Sequence, residues 1–446
     1  MVVKRAFSAP GKALLAGGYL VLDSKYEAYV VALSSRMHSV VSFEETTDPN
    51  TSTMINVKSV QFNNDQWAFK VDKNEHNNYT IKEINGLQNP FIEKTLFNVL
   101  NYFGVNKSYK ISIEIFSDSG YHSQEKSVLK MNSYKQFHYH SETVTKVPKT
   151  GLGSSAGLVT VLTTALVSCF IEQFQLEPFL KIIHNLSQVS HCQAQGKVGS
   201  GFDVAAATFG SIIYRRFQPE LINDLPKYDS LEYKRKLQKL IDSKYWGYKS
   251  ENVKLPKGLR LIMGDVNNGS ETVKLVSRVK QWYNKNLPES LEIYTKINEG
   301  NMAFIKSLED LNELAAINPD KYDKILAALD NKEAITSLDS SLLSVQKAVN
   351  QIRSNFKYIT KKSGADIEPD VQTTLLDNSI ALNGVLTGLV PGAGGYDAIA
   401  LITTEKCDIQ EETKNNKKFE RVSWLDLHQE DYGIVEECPT HYINFN

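Results

Sequence analysis

Apolar and polar positions along this chain alternate first with a period of two and then with a period near 3.6, and each change of period marks an element. Arg5 to Lys12 reads as a short strand, Tyr26 to Leu33 as another, and Met37 to Val71 as several strand-like pieces with polar joints. At Asn89-Pro90-Phe91 the pattern turns helical: Asn89 suits an N-cap, Pro90 the first helical position, and Ile92, Leu96, Val99 and Phe103 recur on one face. Ile111, Ile113 and Ile115 alternate with Lys110, Ser112 and Glu114, predicting a strand with one buried face. Ser117 to Thr145 is a polar excursion. Leu158 to Ile171 reads as an apolar helix, and Pro178 opens a second, with Phe179, Ile182, Leu186 and Val189 inward and an end near Gln195-Gly196. Ile212 to Phe217 reads as a strand. The charged, turn-rich stretch 218–257 predicts a linker between one domain at 1–217 and a second at 258–446. In the second, strands at Leu259 to Gly264, Val385 to Val390 and Ala398 to Ile402 frame helical patterns at Glu289 to Leu311, Lys321 to Leu329, Leu342 to Thr360 and Thr373 to Leu382, and Val422 to Leu427 closes as a strand-like piece.

A length of 446 residues exceeds one compact core, and 41% hydrophobic with 23% charged residues is ordinary globular composition. A formal net charge of -1 supplies no global field for nucleic acid or anionic membrane, so neither partner is expected and any anion must be met by a local site. The longest apolar run, Leu158 to Ile171, carries three threonines and a serine and is too short to span a bilayer, and Met1 to Arg5 has no apolar signal core. Cys169, Cys192, Cys407 and Cys438 are scattered without a Cys-x-x-Cys pair, which reads as thiols in a reducing compartment; a cytoplasmic monomer is expected. His184 and His191 lie seven apart on one predicted helix face, a spacing that reads as packing more than as metal ligation.

Candidate chemistry gathers at glycine clusters. Pro148-Lys149-Thr150-Gly151-Leu152-Gly153-Ser154-Ser155-Ala156-Gly157 feeds directly into a helix. It is either a tight turn capped by Ser154 or Ser155 or a cradle whose backbone amides face a phosphate. It fits neither the P-loop nor the dinucleotide template. Lys12 follows Pro10-Gly11 and precedes apolar residues, either an ordinary surface lysine at a turn or one aimed at an anion. Asp203 follows the turn Gly196 to Gly201, either as a cap or for acid–base or metal work. Pro391-Gly392-Ala393-Gly394-Gly395 is a hairpin or a backbone nest. Ser270 suits the cap of a helix starting at Gly269 to Lys274.

In order and spacing, Pro10-Gly11-Lys12, Gly151 to Gly157 and Gly392 to Asp397 resemble the three signatures of the GHMP kinases. The resemblance implies an α+β protein with an N-terminal α/β domain like the second domain of ribosomal protein S5, a C-terminal ferredoxin-like domain, and a cleft between them. Ala9 to Leu22, Ala194 to Asp203 and Ser363 to Pro369 look like the fungal-type subgroup that acts on 5-phosphomevalonate. That implies transfer of the ATP γ-phosphoryl group to this acceptor with Mg²⁺, giving 5-diphosphomevalonate and ADP on the route to isoprenoids and sterols. A relative with an alcohol acceptor such as mevalonate is the alternative. By the same resemblance Lys12 and Asp203 face the reacting centre. Asn89 and Pro148 to Gly157 hold ATP, with Ser155, and less so Ser154, offering a hydroxyl to Mg²⁺. Lys12, Tyr19, Ser200, Gly392 and Ala393 grip the acceptor, and Lys197, Ser270, Lys274 and Gly394 the acceptor or the ADP phosphates. Mevalonate kinases carry a metal-binding glutamate eleven residues before the aspartate; here that position is Cys192.

Overall fold

The computed structural model describes residues 2–46, 52–75, 78–104, 107–124, 126–243, 245–266, 272–331, 339–425 and 427–442. The chain runs β1 (Val3–Ala16), β2 (Glu27–Glu45), β3 (Met54–Ser59), β4 (Asp65–Lys73), β5 (Tyr79–Glu83), α1 (Pro90–Phe103), β6 (Tyr109–Ser117), β7 (Ser127–Asn132) and β8 (Lys135–His140). It continues with α2 (Ser154–Cys169), α3 (Leu180–Gln195), α4 (Phe202–Phe209), β9 (Ile212–Arg215), α5 (Glu220–Asn223), α6 (Tyr233–Ile241) and β10 (Lys249–Asn252). Next come β11 (Leu259–Asp265), α7 (Thr272–Lys285), α8 (Glu289–Ile317), α9 (Pro319–Asp330), α10 (Ser340–Ser363), α11 (Asp370–Ile380), β12 (Val385–Leu389) and β13 (Ala398–Thr404). α12 (Ile409–Thr413), β14 (Ser423–Leu425), β15 (Gln429–Glu430) and β16 (Val435–Glu437) complete it.

The first sheet orders its strands β10-β9-β2-β6-β3-β4-β5, with β1 between β2 and β16, and β15 on β2. β1 and β2 run much further than the short strands expected from the sequence, because Ala6 to Gly11 and Ala28 to Leu33 are buried at every position. A strand covered on both faces loses the two-residue alternation that marks a half-buried one. The register of β1 on β2 shifts between Pro10 and Gly11, and Lys12 follows directly. α2 packs on β1 and β2, flanked by α1 and α3. It is apolar nearly all round, as a helix enclosed on every side must be. α1 begins as expected, with Asn89 accepting from the Ile92 amide and Pro90 in the first turn.

The second sheet, β12-β13-β11-β14, is antiparallel throughout. Its chain order is strand, helices, strand, strand, helix, strand, with the first strand between the third and fourth, which is the ferredoxin-like arrangement. The stretch 218–257 is not an irregular connection: β10 extends the first sheet beyond β9, and Tyr233, Leu237 and Ile241 of α6 are buried beside α1 and α3. The tail also departs from the expected division, since β15 and β16 leave the second sheet and pair with β2 and β1. There Glu430 meets the buried guanidinium of Arg36 at 2.9 Å.

Candidate active site

The glycine loop turns on Gly151 and Gly153, whose φ angles of 79° and 86° lie where side chains are disfavoured. Gly153, not a serine, is the N-cap of α2, so Ser154 and Ser155 stand in its first turn and do not cap it. The loop's carbonyls are spent on its neighbours: the Lys12 amide donates to Leu152 O at 3.0 Å and Lys12 Nζ to Gly151 O at 2.8 Å. The Thr150 amide donates to Tyr121 O at 3.2 Å, and its hydroxyl to Gly120 O. With the carbonyls docked, the unpaired amides of the first turn of α2 are left for a ligand, at the positive end of the helix.

Lys12 leaves β1 beside this loop. A Cβ added at Gly153 would stand 3.2 Å from Lys12 Cε and 3.8 Å from Asp203 Cβ, so both side chains lie beside the glycine. Burial holds the Lys12 ammonium below the usual lysine range, and the Asp203 charge opposes that shift. Its Nζ also lies 5.6 Å from the centre of the Phe202 ring. Asp203 stands in the first turn of α4, where Oδ1 accepts from the Val204 amide at 2.9 Å. Gln188 steadies the start of that helix by donating to Gly201 O at 2.7 Å.

Two cavities open on either side of the loop. A cleft of about 580 Å³ is lined by Lys12, Tyr19, Thr150, Gly151, Leu152, Gly153, Lys197, Ser200 and Asp203 from the first unit, and by Gly392, Ala393, Gly394 and one face of α7 from the second. A smaller, mostly apolar pocket of about 210 Å³ is lined by Asn89, Lys149, Ser154 and Ser155 with Phe62, Trp67, Phe91 and Leu158. The expected site residues are thus sorted between two chambers. Pro148, Ala156 and Gly157 line neither; Pro148 O accepts from the Ser123 amide at 2.9 Å, and the Gly157 amide donates to Gly153 O at 3.1 Å. Lys274 is on α7 but away from the cleft-facing positions, where Lys280 stands instead. Ser270 lies outside the described residues.

The third glycine cluster is both a hairpin and a wall, since it joins the paired strands β12 and β13 and also faces β1 across the cleft. Gly392 N donates to Leu14 O at 3.3 Å, and Tyr19 Oη to Ala393 O at 2.6 Å. At Gly394, with φ 77°, an added Cβ would lie 2.2 Å from Ile367 O, a distance no side chain tolerates. Ile367 belongs to the stretch Ser363 to Pro369, which lines neither cavity and supports the cluster from behind. Glu368, 2% exposed, anchors it through bonds of 2.9 and 2.8 Å from Arg353.

His191 also stands at the site, which its spacing in the sequence does not announce. It is 3% exposed, lines the cleft, and its Nε2 lies 3.0 Å from Ser155 Oγ and 3.2 Å from Gln195 Nε2. Burial holds its pKa down. Facing the amide NH₂ of Gln195 as well as the Ser155 hydroxyl, Nε2 is the acceptor when the neutral ring carries its proton on Nδ1, and the Ser155 oxygen then keeps lone pairs for a ligand. Burial pushes the Cys192 thiol up to about 11, so it is neutral and is no ligand for a hard cation. Among the described residues there is no group of three His, Cys, Asp or Glu side chains placed to hold a metal. The oxygen donors at hand, Ser155, Ser154 and Asp203, fit a Mg²⁺ that takes most of its ligands from phosphate and water.

A family model for the GHMP kinases N terminal domain matches residues 124–211. Phosphomevalonate kinase of Candida albicans is 45% identical over 99% of this chain and 100% of its own length. Phosphomevalonate kinase of Gibberella zeae is 34% identical over 94% of this chain and 91% of its own. Among solved structures, Streptococcus pneumoniae phosphomevalonate kinase in complex with phosphomevalonate and AMPPNP matches with a TM-score of 0.62 over 96% of this chain and 100% of that one, at 16% identity. Methanococcus jannaschii mevalonate kinase matches with a TM-score of 0.54 over 96% of this chain and 98% of that one, at 14% identity. The structural likenesses carry the fold, and the full-length identity to the fungal proteins carries the membership: the chain belongs to the phosphomevalonate kinase family of the GHMP kinases.

Proposed function

We propose that the protein transfers the γ-phosphoryl group of ATP to 5-phosphomevalonate, forming 5-diphosphomevalonate and ADP. The observation that supports this best is the position of the glycine loop between an apolar pocket and a lysine-lined cleft. The nucleoside belongs in the apolar pocket, beside Asn89, Phe91 and Trp67. The triphosphate crosses the amides at the start of α2, and the acceptor phosphate lies in the cleft against Lys12.

Phosphoryl transfer asks for in-line positioning and cancellation of charge on the equatorial oxygens. Lys12 supplies the cation at the meeting point of two anions. A phosphate monoester, with a second pKa of about 6, is largely a dianion at neutral pH and needs no general base. Asp203 therefore sets the place and charge of Lys12 and abstracts no proton. Ser155, with Ser154 beside it, would hold Mg²⁺, which would supply neutralisation of the phosphate charge. His191 orients Ser155 for that task. No described helix is long and apolar enough to cross a membrane, and the four cysteines are free thiols, which supports the reducing compartment expected from the sequence.

The test is ADP release by purified protein with Mg-ATP and either 5-phosphomevalonate or mevalonate. Turnover of the phosphate is expected, and turnover of mevalonate alone overturns the assignment. Asp203→Asn separates the roles: it should retain measurable turnover, whereas complete loss with both ligands still bound would make Asp203 the base.

A further inference from the structure

The far wall of the cleft is one face of α7, carrying Val273, Val276, Ser277 and Lys280. These positions are spaced three, four and seven apart, which stacks them in one stripe along the helix. Lys274, one residue on from Val273, is turned about 100° away by the 3.6-residue helical repeat. The stripe changes character along its length. Its first turn is apolar, with Val273 65% exposed to the cleft, and its second pairs a hydroxyl with an ammonium. Among the described residues Lys280 has no carboxylate partner.

Lys12, Lys197 and Lys280 line the cleft against two carboxylates, Asp203 and Asp397, so its lining is cationic in a chain whose net charge is -1. Lys12 is committed to the reacting end by its bond to Gly151 O and its place beside Gly153. A second, partnerless cation on the opposite wall calls for a second negative group on the same ligand. The proposed acceptor has that form: a phosphate at one end, a carboxylate at the other, and a methyl-bearing carbon between them.

We propose that Lys280, with Ser277 beside it, binds the carboxylate of the acceptor, while Val273 and Val276 cover its methyl and methylene groups. This rests on the acceptor assigned above. It makes α7 the element that measures the length and far-end charge of the acceptor.

The test is a two-by-two comparison of native protein and Lys280→Met, each with the acceptor and with its analogue in which the carboxylate is reduced to a primary alcohol. Lys280→Met should raise the KM for the acceptor about 10- to 100-fold, the range for one charge-assisted hydrogen bond, and leave the KM for ATP unchanged. The native protein should lose the same factor on the alcohol analogue, and Lys280→Met should lose nothing further. Lys280→Arg should recover much of the loss. The inference is overturned if Lys280→Met still prefers the acid as strongly as native protein does, or if Lys197→Met abolishes that preference instead. Should mevalonate prove to be the acceptor, the cycle is run on mevalonate and its alcohol, because the carboxylate is common to both; the two readings then fail independently.

Discussion

Lys12 has its ammonium against Gly151 O at the floor of the cleft, with its pKa held down by desolvation there. Lys12→Met should lower kcat by about 10²- to 10³-fold, as loss of one preorganised charge at a transition state does, with the fold intact by circular dichroism. Since the charged form does the work and its pKa is depressed, kcat should fall on the alkaline side at a lower pH than a free lysine would give. A pH–rate profile whose alkaline limb vanishes in Lys12→Arg checks the origin. His191→Ala should raise the KM for Mg-ATP about tenfold, the scale of one hydrogen bond to a polar partner, and leave the acceptor KM unmoved. The glycine loop is legible in the sequence because only glycine fits the left-handed positions 151 and 153. His191 is not, because its partner Ser155 is 36 residues away and its helical spacing is that of any core side chain.

At the scale of elements, helices with marked ends are readable, and so is a short buried strand such as β12, but the extent of a long strand with two covered faces is not. The Asn89-Pro90 start of α1 is written in local chemistry. The full extent of β1 and β2 is written only in what packs on them. The helix α4 that carries Asp203 escapes a reading of the sequence for a related reason, since its eight residues show no polar face to set the period. The segment Ser363 to Pro369 stands out as a motif, yet its work is mechanical: Arg353 and Thr360 of α10 hold Glu368 and Ile367, and Ile367 O seats Gly394. Gly394→Ala should therefore displace the wall that Tyr19 touches. We expect a rise in acceptor KM of about tenfold or more, the effect of breaking one hydrogen bond, with nucleotide affinity by fluorescence titration unchanged.

For the whole molecule, the ferredoxin-like second sheet follows from the order of elements, but the path of the tail does not. β15 and β16 are two and three residues long, too short for any periodicity, and they are fixed only by the edges they meet. Removing the chain from Gln429 onward should cost about 3–5 kcal/mol, because it strips the buried Arg36 of Glu430 and uncovers β1. Denaturant unfolding of the truncated chain measures that loss, and a midpoint equal to the native one would contradict it.

The pairing of β16 with β1 joins Ala6 to Glu437 and Ser8 to Val435, nearly opposite ends of the chain. Residues so far apart in sequence close a large loop, and during synthesis, where domains usually close one after another from the N-terminus, the sheet edge at Ala6 to Ser8 stays unpaired until β16 has been made. Until then that short edge is open to pairing with another chain. The first unit is therefore completed only after the second has been made, not when its own segment is finished.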